Sequence, residues 1–144
     1  MKINEKILSA WLKMILAVDS ERVVSELSYN ESIICNVLYS NLDKEMTATE
    51  LCTITKMQKS LMNRTLNSLE LKQLIKKERS EKDKREIVIQ LVDNPNSLFM
   101  KQHTSTLAYV DKIIEHLGEK SEEIINIFET IARIAQEEKQ WFVY

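Results

Sequence analysis

The chain has 144 residues, 44% of them apolar and 29% charged, with a formal net charge of −2. Those proportions suit a soluble globular protein with a buried core and exclude a disordered one. One glycine and one proline leave little material for turns, so long helices are expected to dominate.

Ile3, Ile7, Leu8, Trp11, Met14, Ile15 and Val18 recur at spacings of three and four, an amphipathic helix over 3–18. Ser28 followed by Glu31 is a capping box that opens a second helix through about Asn41, with Ile33, Ile34, Val37 and Leu38 inward. Thr47 and Glu50 repeat that device and open a short helix through about Ile54. A tight connection at Thr55–Met57 leads into a helix from about Lys59 to Lys72, whose apolar side is Leu61, Met62, Leu66 and Leu69.

The period then changes. Strands are expected from Leu74–Ile75 to about Arg79 and over Glu86–Leu91, with the polar stretch Ser80–Arg85 as the tip between them. Asp93–Asn94–Pro95–Asn96 is a break, and a long helix follows to about Leu117, closed by Gly118. Ser121 is expected to cap a last helix, whose stripe is Ile124, Ile127, Phe128, Ile131, Ile134 and Ala135. Helix, helix, strand, charged tip and strand over 46–91 is the order of a winged helix-turn-helix. The expected fold class is therefore mainly α with a small β-hairpin wing, flanked by N- and C-terminal helices.

The charge is not evenly spread. Between Lys56 and Arg85 there are ten Lys or Arg and four acids, so that segment carries +6 and the remainder −8. Such a separation draws a polyanion to one face and repels it from the others. A solvated charged surface is the bland alternative.

Cys35 and Cys52 lie inside amphipathic patterns and form no CxxC pair, so buried, reduced thiols are expected. An oxidant-sensing role for either would need an exposed cysteine of low pKa. His103 and His116 lack the clustering of a metal site, and no metal or cofactor is expected. A Gly-rich phosphate loop, a nucleophile elbow and a carboxylate cluster are all missing, so the chain is not read as an enzyme. With no stretch near ~20 apolar residues and no signal-like leader, a cytoplasmic location is expected.

Three stretches carry a resemblance to a known family. They are Thr47-Ala48-Thr49-Glu50-Leu51; Lys59-Ser60-Leu61-Met62-Asn63-Arg64 continuing to Leu69-Glu70 and Leu74-Ile75; and Arg79 followed by Asp83-Lys84-Arg85. Together they resemble the multiple-antibiotic-resistance regulator (MarR) family of bacterial winged-helix repressors, whose wing hallmark is an Asp-x-Arg pair. The flanking helical segments fit the family in order and length, so the resemblance spans nearly the whole chain. Where many relatives place glycine, in the helix-turn-helix turn and before the first wing strand, this chain has Lys56 and Gln73. Either the turns are built differently or these two residues enter a backbone region that glycine enters more cheaply. Gln58 stands where relatives carry a Ser or Thr N-cap.

The resemblance implies a single domain over 1–144, with a DNA-binding lobe at 28–92 and helical dimerisation regions at 1–27 and 95–144. It implies a homodimeric regulator of double-stranded DNA, a repressor acting on a pseudo-palindromic operator. The DNA-binding residues would be Lys59, Ser60, Asn63, Arg64, Arg79, Asp83, Lys84 and Arg85. Arginine suits a guanine edge, Ser and Asn suit bases or phosphates, and Lys59 suits a phosphate. Arg85 would enter the minor groove, oriented by Asp83. For Arg64 a surface ion pair with Glu70 or a neighbour is the plain alternative. Trp11, Ile127, Phe128, Ile131, Trp141 and Phe142 are interface candidates, intramolecular core being the alternative. Trp11, Met14, Tyr39, His103 and Tyr109 would line the pocket of a small aromatic effector that releases the operator, although core packing accounts for each. The competing function is a winged-helix protein-interaction module without specific DNA binding.

Overall fold

The computed structural model describes residues 1–20 and 26–138. Its elements run α1 (Ile3–Ser20), α2 (Tyr29–Tyr39), β1 (Met46–Thr47), α3 (Ala48–Thr55), α4 (Lys59–Leu71), β2 (Ile75–Arg79), β3 (Ile87–Leu91) and α5 (Leu98–Leu117). A 3₁₀ turn (Gly118–Lys120) and α6 (Ser121–Glu137) complete them. The chain divides into two compact units, Met1–Gln102 and His103 onward. That boundary falls within α5, beyond the lobe expected at 28–92.

Both capping boxes form. Ser28 Oγ accepts from the Glu31 N–H and Glu31 Oε1 accepts from the Ser28 N–H, at 3.1 and 2.9 Å. Thr47 and Glu50 exchange the same pair of bonds at 3.1 and 3.2 Å. Each box satisfies two backbone donors that a helix start leaves open.

The first unit's core is Leu27, Ile34, Cys35, Leu38, Met46, Leu51, Met62, Leu66, Leu69, Leu74, Ile75, Ile89 and Phe99. These residues come from α2, α3, α4, the sheet and the start of α5, so one apolar interior fixes the whole lobe. The sheet is antiparallel with order β1-β3-β2, and Ile75 pairs with Leu91, Lys77 with Ile89 and Arg79 with Ile87. The expected hairpin is therefore one edge of a three-stranded sheet. At two residues, β1 is too short to show a period, and its Thr47 was legible only as a helix cap.

In the second unit, Gly118 takes a φ of +54°, which closes α5 as expected. Ser121 does not cap α6. The N-cap position is Lys120, without a side-chain bond, and the Ser121 hydroxyl donates back to the Gly118 carbonyl at 2.8 Å. The intervening 3₁₀ turn shifts the helix start by one residue and turns the serine into its first helical position.

Apolar stripes on both units are uncovered. Trp11 is 52% exposed and Phe128 54%, and Ile3, Ile7, Leu8, Met14 and Ile15 on α1 and Ile127, Ile131 and Ile134 on α6 are exposed too. Neither stripe is buried within its own unit. Trp141 and Phe142 lie outside the described residues. No helix among the described residues is long and apolar enough to cross a membrane.

Candidate nucleic-acid interface

The helix-turn-helix is α3 and α4 with Lys56 between them. Lys56 sits in the left-handed region at φ 63°, and its N–H donates to the Cys52 carbonyl at 2.9 Å. Gln73, after α4, has φ 60°. Its N–H donates to the Glu70 carbonyl and that of Leu74 to the Leu69 carbonyl, both at 3.0 Å. This is a Schellman ending, sealed by buried Leu69 and Leu74. The two positions where relatives carry glycine thus keep the glycine backbone with other side chains.

Thr55 ties the turn together, donating to the Leu51 carbonyl at 2.7 Å while its oxygen accepts from the Met57 N–H at 3.3 Å. Met62, Leu66 and Leu69 fasten α4 to the core, with Thr65 buried beside them. Lys59, Ser60, Asn63 and Arg64 are all exposed, away from that side. Glu70 faces Lys77 at 3.9 Å rather than Arg64, and among the described residues Arg64 makes no ion pair. Gln58 is extended and provides no side-chain cap, and the first turn of α4 holds no acid.

The wing tip is organised around a buried hydroxyl. Ser80 is 4% exposed; its Oγ accepts from the N–H groups of Lys82 and Asp83 at 3.2 and 3.4 Å and donates to Glu45 Oε2 at 3.3 Å. Glu45 thereby ties the tip to the segment before β1. Neither residue was among the expected site residues, although a serine accepting from the N–H groups two and three residues on is an ordinary turn device. Arg79 Nη1 donates to the Lys84 carbonyl at 3.0 Å and braces the hairpin.

Asp83 holds Arg85 as the resemblance implied. Arg85 donates to Asp83 from its backbone N–H at 3.0 Å, from Nε at 3.2 Å and from Nη2 at 3.4 Å. The Arg85 guanidinium, and then its N–H, hold the Asp83 carboxyl below the usual aspartate value. The Arg85 side chain is 91% exposed, so an oriented cation projects from the tip.

The expected effector residues are not assembled in one unit. Tyr39 lies in the first unit, edge-on to Phe99 with ring centroids 6.0 Å apart. Trp11 and Met14 are exposed on α1, whereas His103 and Tyr109 belong to the second unit. A cavity of about 340 Å³ in the first unit lies against Leu38, Leu42, Met46, Ile89 and their neighbours, and none of the five lines it. Among the described residues no group of three His, Cys, Asp or Glu could hold a metal ion.

The family described as transcriptional regulator SarA/Rot matches residues 21–102, more than half of the 144-residue chain. The chain is a SarA/Rot-family transcriptional regulator. No curated protein sequence matches it. Among solved structures, it is similar to MepR, a transcription regulator of the Staphylococcus aureus multidrug efflux pump MepA. That likeness has a TM-score of 0.67 at 14% identity and covers 93% of this chain and 99% of that one. The adhesin competence repressor AdcR of Streptococcus pyogenes has a TM-score of 0.61 at 18% identity, covering 95% and 99%. The YusO protein of Bacillus subtilis has a TM-score of 0.61 at 18% identity, covering 94% and 99%. These identities carry the fold, and the fold is the winged helix of MarR-type regulators. This SarA/Rot regulator is thus a mainly helical winged-helix protein and not an enzyme, in line with the family resemblance read from Asp83, Arg85 and the Ser60–Arg64 stretch.

Proposed function

We propose that the chain is a cytoplasmic, homodimeric repressor that binds double-stranded DNA at a pseudo-palindromic operator. The observation that carries this reading is the pairing of an outward α4 stripe (Lys59, Ser60, Asn63, Arg64) with a wing cation, Arg85, held in place by Asp83. In the major groove, Arg64 would take a guanine edge, with Asn63 and Ser60 contacting neighbouring bases or phosphates. Lys59, Lys84 and the outer donors of Arg79 suit phosphates, as do the first-turn N–H groups of α4, which no side chain caps. Arg85 would enter the minor groove, most favourably over A·T base pairs.

Exposed stripes on α1 and α6 support the dimer, because apolar surface of that extent is costly in water. A two-fold pair would present two α4 helices to half-sites about 10 base pairs apart or a multiple of that. Repression is in keeping with AdcR, an adhesin competence repressor, and a small aromatic effector is what the MarR resemblance implies. Such an effector would act by changing the separation of the two α4 helices.

Selection of bound fragments from sheared genomic DNA tests the proposal. Enrichment of one pseudo-palindromic sequence, with affinity falling steeply between 50 and 200 mM salt as expected for about 6–10 phosphate contacts, supports it. Recovery of no preferred sequence favours the protein-interaction module instead.

A further inference from the structure

Glu31 is an ionisable side chain in an otherwise apolar place. It is 4% exposed beside Cys35 and Ile34, and its carboxylate accepts three bonds from outside itself. Oε1 accepts from the Ser28 N–H and from Lys72 Nζ, each at 2.9 Å, and Oε2 accepts from Ser68 Oγ at 3.1 Å. Lys72 also donates to the Glu26 carbonyl at 2.9 Å. A capping box needs only the first of these. The others reach across some forty residues of sequence to the last turn of α4.

At 3.6 residues per turn, Ser60, Asn63, Arg64 and Asn67 form the outward stripe of α4, opposite Met62, Leu66 and Leu69. Ser68 and then Lys72 lie along one border between the two sides. Glu70 lies along the other, where Lys77 of β2 reaches Asn67 by a hydrogen bond and Glu70 at 3.9 Å. Among the described residues, these are the side-chain hydrogen bonds and ion pairs that join α4 and its C-cap to other elements. The apolar contacts beneath the helix hold it against the core, and the polar bonds along its two borders add directional restraints to that packing.

We infer that Glu31 on one border and Lys77 on the other set the roll of α4 about its axis, which makes them positioning residues for base readout. The inference rests on the DNA-binding reading above. A roll of about 20° moves a side-chain tip at a radius of roughly 5–6 Å by about 2 Å. Hydrogen bonds to base edges tolerate a few tenths of an ångström. Phosphate contacts by flexible lysines tolerate far more, so a rolled helix loses discrimination before it loses affinity. Replacing a buried ion pair by apolar residues is commonly neutral or favourable for stability, so a variant without the cluster is expected to fold.

The decisive variant replaces the whole cluster, Glu31→Leu with Ser68→Ala and Lys72→Met. It removes one charge of each sign, so the formal net charge of the chain is unchanged. Three readouts are compared with wild type: urea unfolding, Cα–Hα residual dipolar couplings of α4 against α2, and anisotropy with the selected operator and a scrambled duplex. The expected result is retained folding, altered α4 couplings, a preference for operator reduced about tenfold, and affinity for scrambled duplex within about twofold of wild type. Lys77→Gln is expected to shift the couplings as well. Unchanged couplings in a folded variant overturn the inference, whatever the DNA shows. A wild type that prefers no sequence defeats the DNA-binding proposal, and the couplings then decide the roll by themselves.

Discussion

Gln73→Gly should make the protein more stable, although it removes a side chain and adds none. Gln73 occupies the left-handed region at φ 60°, where a residue with a Cβ is disfavoured by about 1–2 kcal/mol. Glycine escapes that strain but loses more backbone freedom on folding, an opposing cost of roughly 0.5–1 kcal/mol. The Schellman bonds Leu74 N–H to Leu69 and Gln73 N–H to Glu70 involve only backbone and survive the change. The net expectation is a gain of about 0.5–1 kcal/mol, read as a higher urea midpoint at unchanged slope and fixed protomer concentration. Lys56→Gly, at φ 63°, should behave alike. Thr53→Gly, exposed within α3, is the control and should lose roughly 0.3–0.5 kcal/mol, the gap in helix propensity between threonine and glycine. Equal losses at positions 53, 56 and 73 would refute the reasoning, because they would mean that chain entropy alone governs all three.

Three further outcomes are expected. Burial and then the Glu31 charge push the Cys35 thiol up to about 12, Lys72 opposing, so a thiol reagent at pH 7–8 should modify Cys35 only as fast as the protein unfolds. Rapid modification of Cys35 in the native protein would contradict its burial. Burial raises the pKa of Glu31, but the hydrogen bonds from Ser28 and the contacts with Lys72 outweigh it and leave the value below 4.5. A lowered carboxyl stabilises the fold above its unfolded value and loses that contribution as pH falls through the folded one. Wild type should therefore lose more stability than Glu31→Gln on going from pH 6 to pH 3, measured by urea unfolding. Equal losses would show that the carboxylate is not favoured by folding. For the proposed dimer, Phe128→Asp should raise the dissociation constant at least about a hundredfold, since a two-fold interface would lose two buried rings worth roughly 1.5–3 kcal/mol each. Sedimentation equilibrium at matched concentrations reads this directly, and an unchanged constant would remove α6 from the interface.

Much of the lobe was legible because local chemistry specifies it. Ser28 with Glu31 and Thr47 with Glu50 marked two helix starts that the backbone realises within a residue. The change from helical spacing in Leu61–Leu69 to the β-branched Ile87-Val88-Ile89 run located the wing. The Asp83–Arg85 contact is also local, two residues apart on one hairpin. Long-range contacts were not legible. Sequence gives no sign that Ser80 bonds Glu45 thirty-five residues away, or that the Glu31 of a capping box also holds Lys72 and Ser68. The start of α6 differed for a local reason, since the 3₁₀ turn over Gly118–Lys120 makes Lys120 the N-cap and leaves the Ser121 hydroxyl bonded to the Gly118 carbonyl. The α1 and α6 stripes showed clearly as periodicity, whereas whether they faced a core or the surface depended on tertiary structure.

On the proposed function, the α4 stripe and the Arg85 wing cation read DNA together. Fluorescence anisotropy with duplex from the protein's own upstream region and with the sequence enriched from genomic DNA, each against scrambled duplex at two salt concentrations, tests it most directly. Wild type and Arg85→Ala are compared side by side. The expected result is tight, salt-sensitive binding that prefers at least one native duplex, and weaker binding by Arg85→Ala with a shallower salt dependence. Equal, weak binding to every duplex, unchanged by the substitution, would contradict it.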